Sequence, residues 1–293
     1  MNDGRVIPVK ITDAVPLEID DSTPVDVNIT GGTLTSGDVV STDHIFAVSN
    51  GDVPGQSVFS LYGYNAEIDT GTVPEDVKAN GGLFDWPAAA EPLEIVSTSA
   101  DDTAAGIGAR LVMLRGLDAN FDEVTEMVPT AGLGVATSVN SYIRLNDARV
   151  LSAGSYHGSN LGEITITQQT SGDEMAVIPA GDGVKNAFRY TVPNGKTAHL
   201  LQTTVAISRG TGTVSNACSY KFRSYINADD VVGPAYGSRN TQVVVQGIRG
   251  QIQYDSVYTS VIPSKTDIWV EVFFVTQNDT SISCSGLLLL IDD

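Results

Sequence analysis

Ile268-Trp-Val-Glu-Val-Phe-Phe274 decides how this chain folds. Ile268, Val270, Val272 and Phe274 fall on one side of an extended chain, with Trp269, Glu271 and Phe273 on the other, the two-residue period of a strand. So apolar a run is buried on at least one side. The rhythm recurs along the sequence. Leu201, Val205 and Ile207 share a parity, Tyr220, Phe222 and Ile226 oppose Lys221, Arg223 and Tyr225, and Ile164-Thr-Ile-Thr167 alternates by side-chain class. Turn residues separate the runs. Val192-Pro-Asn-Gly-Lys196 supplies a fixed φ and a residue tolerant of positive φ, Asp118-Ala-Asn-Phe-Asp122 reads as a short hairpin loop, and Ile262-Pro-Ser-Lys-Thr-Asp267 leads into the quoted strand. Helix is scarce; Pro74-Glu-Asp-Val77 reads as one helical turn, with proline first and acids early.

The fold class predicted is therefore all-β, with β-sandwich or jelly-roll units. Three parts follow. Residues 1–55 carry Pro8, Pro16 and Pro24 and read as an extended N-terminal arm, because prolines at that spacing spoil central-strand pairing. Residues 56–180 form a first β-rich domain, and 181–293 a C-terminal β-sandwich, with the seam at Pro179-Ala-Gly-Asp-Gly183. No repeated sequence links the two units.

The chain has 293 residues, of which 42% are apolar and 17% charged, too apolar for a disordered chain and too polar for a membrane one. Sixteen Lys and Arg against 35 Asp and Glu give a formal charge of −19, which repels phosphate backbones and anionic lipid alike. Neither nucleic acid nor membrane is expected as a partner. The start lacks a basic region followed by an apolar stretch, so export by a signal peptide is not expected, and the apolar run Leu287–Ile291 is far too short to span a bilayer.

Chemistry-bearing residues are sparse. Two cysteines exclude a disulfide framework; Cys218 and Cys284 each sit in a strand-like run and read as buried free thiols, with a single Cys218–Cys284 bridge as the alternative. Asp118-x-Asn-x-Asp122 copies the first oxygen positions of a calcium loop, then fails, with Glu123 where a glycine must bend the chain and Pro129 where a bidentate carboxylate is needed. Asp20-Asp21 and Asp101-Asp102 are carboxylate pairs of a kind common in so acidic a chain. Gly181-Asp-Gly183 lacks the rest of a dinucleotide fingerprint, and no nucleophile elbow or phosphate loop occurs. His157 reads as a loop residue and His199 as a sheet residue. Tyr62, Tyr64, Phe84 and Trp86 form one aromatic set, suited either to stacking on sugars or, more simply, to a core or subunit contact. No catalytic residue, metal ligand or cofactor site is predicted.

Several stretches together resemble virion structural proteins of tailed bacteriophages, many from marine or freshwater viruses. They are Leu61-Tyr-Gly-Tyr-Asn65, Thr72-Val-Pro-Glu-Asp-Val77, Gly81-Gly-Leu-Phe-Asp-Trp86 and Ser97-Thr-Ser-Ala-Asp-Asp-Thr-Ala-Ala-Gly106. Gly108-Ala-Arg110, Gly116-Leu-Asp-Ala-Asn120, Tyr142-Ile-Arg144, Gly162-Glu-Ile-Thr-Ile166 and Tyr190–Ala198 extend them, as do Ile262–Asp267 and Leu287–Asp293. The resemblance covers about 60–293 and leaves the arm out. It implies a non-enzymatic sandwich or jelly-roll component, symmetric and often trimeric, serving as capsid decoration, head fibre or tail part. On that footing the expected partners are other virion proteins and further copies of the chain, with a trimer favoured, and the expected place is the virion, assembled in the host cytoplasm. Two rival readings are a tail or baseplate receptor-binding module, holding a host glycan on loops such as Tyr156–Asn160 or Tyr236–Asn240, and a glycan-degrading enzyme.

Overall fold

The computed structural model describes residues 42–209, 217–230, 240–248, 250–255 and 261–293. The expected arm thus lies outside the described residues up to residue 41. Its last part holds a helix, α1 (Thr42–Ser49), where an extended segment is expected. No proline falls between Pro24 and Pro54, so nothing there forbids helix. Gly51 ends it at φ 80°. The Gly51 N–H donates to the Val48 carbonyl (3.0 Å) and the Asp52 N–H to that of Ala47 (2.9 Å), the paired bonds of a Schellman cap.

Apart from a short 3-10 helix at Ala228–Asp230, the rest of the described chain is strand and turn, and the all-β class holds. First come β1 (Gln56–Ile68) and β2 (Glu75–Asp76), then β3 (Glu91–Ser97), β4 (Ala109–Leu117), β5 (Glu123–Pro129) and β6 (Ala136–Tyr142). β7 (Arg144–Ala153), β8 (Ile164–Gln168), β9 (Glu174–Ile178) and β10 (Arg189–Thr191) follow. The last are β11 (Lys196–Arg209), β12 (Cys218–Tyr225), β13 (Asn240–Ile248), β14 (Gln251–Asp255), β15 (Val261–Ile262), β16 (Asp267–Val275) and β17 (Thr280–Asp292).

Two antiparallel sheets, ordered β1-β17-β11-β14 and β10-β16-β12-β13, enclose one apolar core, with β15 added beside β11 and β2 beside β16. Phe59, Leu61, Val205, Cys284 and Leu288 line it from one sheet, and Tyr220, Phe222, Ile268, Val270 and Val272 from the other. Two smaller sheets, β6-β3-β8-β9 and β5-β4-β7, surround a second core built from Leu93, Ile95, Val112, Leu114, Ile164 and Ile166. Each fully buried side chain of this kind contributes about 1.5–3 kcal/mol.

Strand pairing cuts across the division expected at 56–180 and 181–293. β1 runs antiparallel along β17, Gln56 opposite Ile291 and Asn65 opposite Ile282, and β2 pairs with β16. The chain therefore begins one sandwich, leaves it to build an inserted module from β3 to β9, and returns. Pro74–Val77 is likewise not a helical turn. Glu75 and Asp76 enter a sheet edge, where Asp76 Oδ2 accepts the Phe84 N–H (2.6 Å) and Glu75 Oε2 accepts from Asn65 Nδ2 (2.9 Å). Both acids are thereby used inside the fold.

Bulges reset the strand parities. Between β12 and β16 the register jumps from Ser219–Phe274 to Tyr220–Val272, leaving Phe273 unopposed. Val275 consequently enters the core at 2% exposure, whereas Phe274, expected on the buried side, is 50% exposed. Leu201 is skipped in the same manner between β11 and β17, so Ala198 and Leu200 face the core before the bulge and Val205 and Ile207 after it. Ile226, expected with Tyr220 and Phe222, lies past the end of β12 and is exposed.

Candidate functional site

Ahead of the bulge, the odd-numbered residues of β16 turn their backs on the sandwich core. Asp267, Trp269 and Glu271 are nonetheless buried, because the inserted module and its connections cover that face. Arg144, the first residue of β7, reaches across to Asp267 in a two-pronged pair, Nε to Oδ1 and Nη2 to Oδ2, both 3.0 Å. Its third nitrogen, Nη1, donates to the carbonyls of Pro87 (2.8 Å) and Ile143 (2.9 Å). The guanidinium also lies over the rings of Trp86 (5.2 Å) and Phe121 (5.7 Å), a flat cation between aromatic faces. Thr191 Oγ1 donates to Asp267 Oδ1 at 2.5 Å. One turn along, Asn146 and Thr191 exchange two bonds: the amide nitrogen donates to the Thr191 carbonyl (2.8 Å) and its oxygen accepts the Thr191 N–H (2.9 Å). An asparagine side chain thus continues a sheet ladder between modules.

Two further cations are buried in this seam. Arg189 donates to the carbonyls of Asp85 (3.0 Å) and Met175 and stacks on Phe84 (4.9 Å) and Trp86 (5.8 Å). Lys185 Nζ donates to the carbonyls of Leu145 (3.1 Å) and Arg189 (3.4 Å). Burial pushes Lys185 down to about 7; Arg189 adds to the shift and Asp147 opposes it. Burial and then Arg144 push Arg189 down to about 10, which leaves it charged at neutral pH. At the module's far corner the hairpin tip docks on the sandwich. The Asn194 N–H donates to the Phe121 carbonyl (2.8 Å), and Lys196 lies between Glu123 (3.3 Å) and Asp292 (3.1 Å).

A second polar centre lies inside the inserted module. Asp102 is wholly buried, and each carboxylate oxygen accepts two hydrogen bonds. Oδ1 takes the N–H groups of Ala109 (2.7 Å) and Leu161 (2.8 Å), and Oδ2 takes Ser97 Oγ (2.6 Å) and the Gly162 N–H (2.8 Å). The loops close in so tightly that a Cβ on Gly108 would lie 2.0 Å from Oδ1. Three of the stretches that carry the phage resemblance, Ser97–Gly106, Gly108–Arg110 and Gly162–Ile166, meet on this one carboxylate. Asn160, also buried, ties the same region to the Pro179 carbonyl (2.8 Å) and the Gly183 N–H (3.0 Å).

The structure disperses the other residues singled out from sequence. Asp118 Oδ1 accepts the N–H groups of Asn120 (2.8 Å) and Asp122 (3.0 Å), folding the supposed ion loop around its own backbone. Asp101 is exposed while its neighbour Asp102 is buried. His157 sits in an exposed loop at φ 41°, and His199 in β11, where burial lowers its pKa. Among the described residues no group of three or more His, Cys, Asp or Glu is placed to hold a metal. Cys218 and Cys284 are buried and unbonded, and burial pushes the Cys218 thiol up to about 12. Phe84 and Trp86 pack into the seam, whereas Tyr62 stands 45% exposed on β1. A shallow depression between Lys78, Phe84, Glu174 and Arg189 leaves no room for a water molecule. Residues 236–239 of the Tyr236–Asn240 loop lie outside the described residues.

No protein-family model and no curated protein matches the chain. Among solved structures, the VP2 subviral particle of infectious bursal disease virus matches at 12% identity and TM-score 0.20, over 81% of this chain and 72% of that one. Particles of T=1 type derived from the same virus match at 13% identity and TM-score 0.19, over 81% and 70%. Likeness of this degree defines neither a shared fold nor a shared role.

Sequence reasoning missed the seam. Arg144, Lys185 and Arg189 look like ordinary surface cations, and only the approach of distant strands buries them. Their one signal is scarcity, since a chain with 16 basic residues places several of them beside aromatic stretches.

Proposed function

We propose that this chain is a structural component of a tailed-phage virion, a homo-oligomeric all-β protein of the capsid decoration or head-fibre type. It binds neighbouring virion subunits and carries out no chemistry of its own. The observation that carries this reading is the Asp102 centre, where the stretches resembling phage virion proteins converge on a carboxylate whose four acceptor positions are all filled by its own loops. What those stretches have in common is architecture. The seam adds support, since the buried charges of Arg144 and Asp267 serve to weld the inserted module to the sandwich. The acidic balance of the chain favours protein neighbours over nucleic acid.

The test is made on particles of the virus that encodes the chain. Quantitative mass spectrometry of purified virions is expected to find it at a fixed ratio to the major capsid protein, and recombinant protein is expected to rebind particles stripped of it. A chain absent from virions, or present at a ratio that varies between preparations, overturns the reading.

A further inference from the structure

The two sheets of the sandwich differ on their outer faces. That of β16 is roofed by the inserted module, whereas that of β1-β17-β11-β14 reaches solvent around Tyr62. Phe59 and Leu61 of β1, Ile282 and Cys284 of β17, Val205 and Ile207 of β11 and Ile252 of β14 turn into the core, so the residues between them point outward. The register aligns these in two rows across four strands. One runs Tyr62, Ser285, Thr204, Gln253, and the next Tyr64, Ser283, Ala206, Gln251. Tyr62, Ser285, Gln251 and Gln253 are exposed and the other four half-buried. Among the described residues the hydroxyls of Tyr62, Tyr64, Ser283, Ser285 and Thr204 have no hydrogen-bond partner. One row further on, by contrast, Ser208 and Ser281 satisfy each other, Oγ to Oγ at 2.7 Å.

The chemistry of this face narrows its occupant. Neither row carries a charge, in a chain of net charge −19. Acids stand only at the rim. Asp255, opposite Gln202, closes the preceding row at β14, and Asp182 lies close enough to Tyr62 to add to burial in pushing its hydroxyl's pKa up. A phosphate-bearing ligand needs Lys or Arg, which the rows lack. A protein subunit needs an apolar centre, and Leu287, in the row of Ser60, is the one large aliphatic residue in these three rows. Acidic sugars would meet the rim carboxylates and the net charge of the chain. An uncharged polysaccharide meets none of these objections. Tyrosine rings cover the C–H faces of sugar rings, while free hydroxyls and glutamine amides both donate to and accept from sugar hydroxyls. Tyr62 and Tyr64 follow each other about 7 Å apart along β1, and an open sheet without a pocket suits a long chain rather than a small ligand.

We propose that the outer face of β1-β17-β11-β14, centred on Tyr62, Tyr64 and Ser285, binds an uncharged polysaccharide. This goes beyond the structural role and does not depend on it. The full chain is run through native gels cast with mixed-linkage β-glucan, galactomannan, dextran or alginate, beside the separate variants Tyr62→Ala and Ser285→Asp, with circular dichroism as a check on folding. Phe274→Ala, which removes an exposed aromatic ring from the other sheet, serves as control. The wild type and the control are expected to be retarded by at least one of the three neutral polymers and not by alginate, which is anionic. Tyr62→Ala is expected to weaken that retardation about tenfold. Should Tyr62→Ala fail to fold, Ser285→Asp decides, since it sets a charge on an exposed position in the middle of the face. A wild type retarded by no neutral polymer, retardation by alginate as well, or folded variants that match the wild type overturns the proposal. None of these results bears on the copy number in virions, which tests the structural role separately.

Discussion

Asp102 and Asp267 are equally hidden from water, yet their charges are met by different means. The donors around Asp102 are neutral, three backbone N–H groups and one hydroxyl from loops of a single module. Asp267 faces a full opposite charge, Arg144, delivered from 123 residues away by another module. Within one module the chain can fold its own amide dipoles around an anion. Where the two modules meet at Asp267, the charge is met by a long side chain with five donors that reaches across from β7. The first device shapes a unit and the second joins units.

Removing the first device has the largest expected effect. Asp102→Ala leaves four buried donors without an acceptor, at about 1–3 kcal/mol each, so a loss of roughly 5 kcal/mol is expected in denaturant unfolding. Hydrogen exchange sharpens the contrast: protection is expected to fall around Ser97–Ala109 and Leu161–Gly162 while the sandwich strands keep theirs. Equal loss in β11 and β17 would break the distinction between shaping and joining.

Asp267→Ala comes next, at about 3–5 kcal/mol, because it strands the buried Arg144 charge. Its effect is expected in both modules. The double variant Arg144→Met, Asp267→Leu is expected to be more stable than Asp267→Ala, since no charge then remains unpaired. A double variant less stable than the single one would mean that the pair is not the joint.

The smallest effect is a slope. Lys185 titrates at about 7 when folded and near 10.4 when unfolded. Between those values the unfolded chain holds a proton that the folded chain lacks, so stability from this group rises as pH increases through the window. Below about 7 both states are protonated and the contribution is flat, with the cost of burying the charge fully present. Lys185→Met is expected to remove up to about 1.4 kcal/mol per pH unit of that rise, read from unfolding curves at several pH values. An unchanged slope would place the titration elsewhere.

Much of the scaffold was legible in the sequence. The alternation at Ile268–Val272, the hairpin at Asp118–Asp122 and the turn before Lys196 all rest on contacts between neighbours in the chain, and all three are present. Phe274 and Leu201 escaped, because a bulge is set by the partner strand and inverts parity without a local mark, and Ile226 escaped because β12 ends before it. The return of β1 to β17 escaped as well, since nothing in Gln56–Ile68 says which distant strand will accept it. Asp101 and Asp102 illustrate the limit most plainly. They are identical in type and adjacent in sequence, and only the loops around Leu161 decide which one is buried.

Composition and period, then, settled the class of the molecule, because strand-forming is decided by side-chain sterics and by which faces shun water, and both are local. The partners of each strand, the burial of Arg144, Lys185 and Arg189, and the convergence on Asp102 belong to the tertiary structure. Those features depend on long-range closure, where burial changes what a charge costs, and no short stretch of chain contains that information.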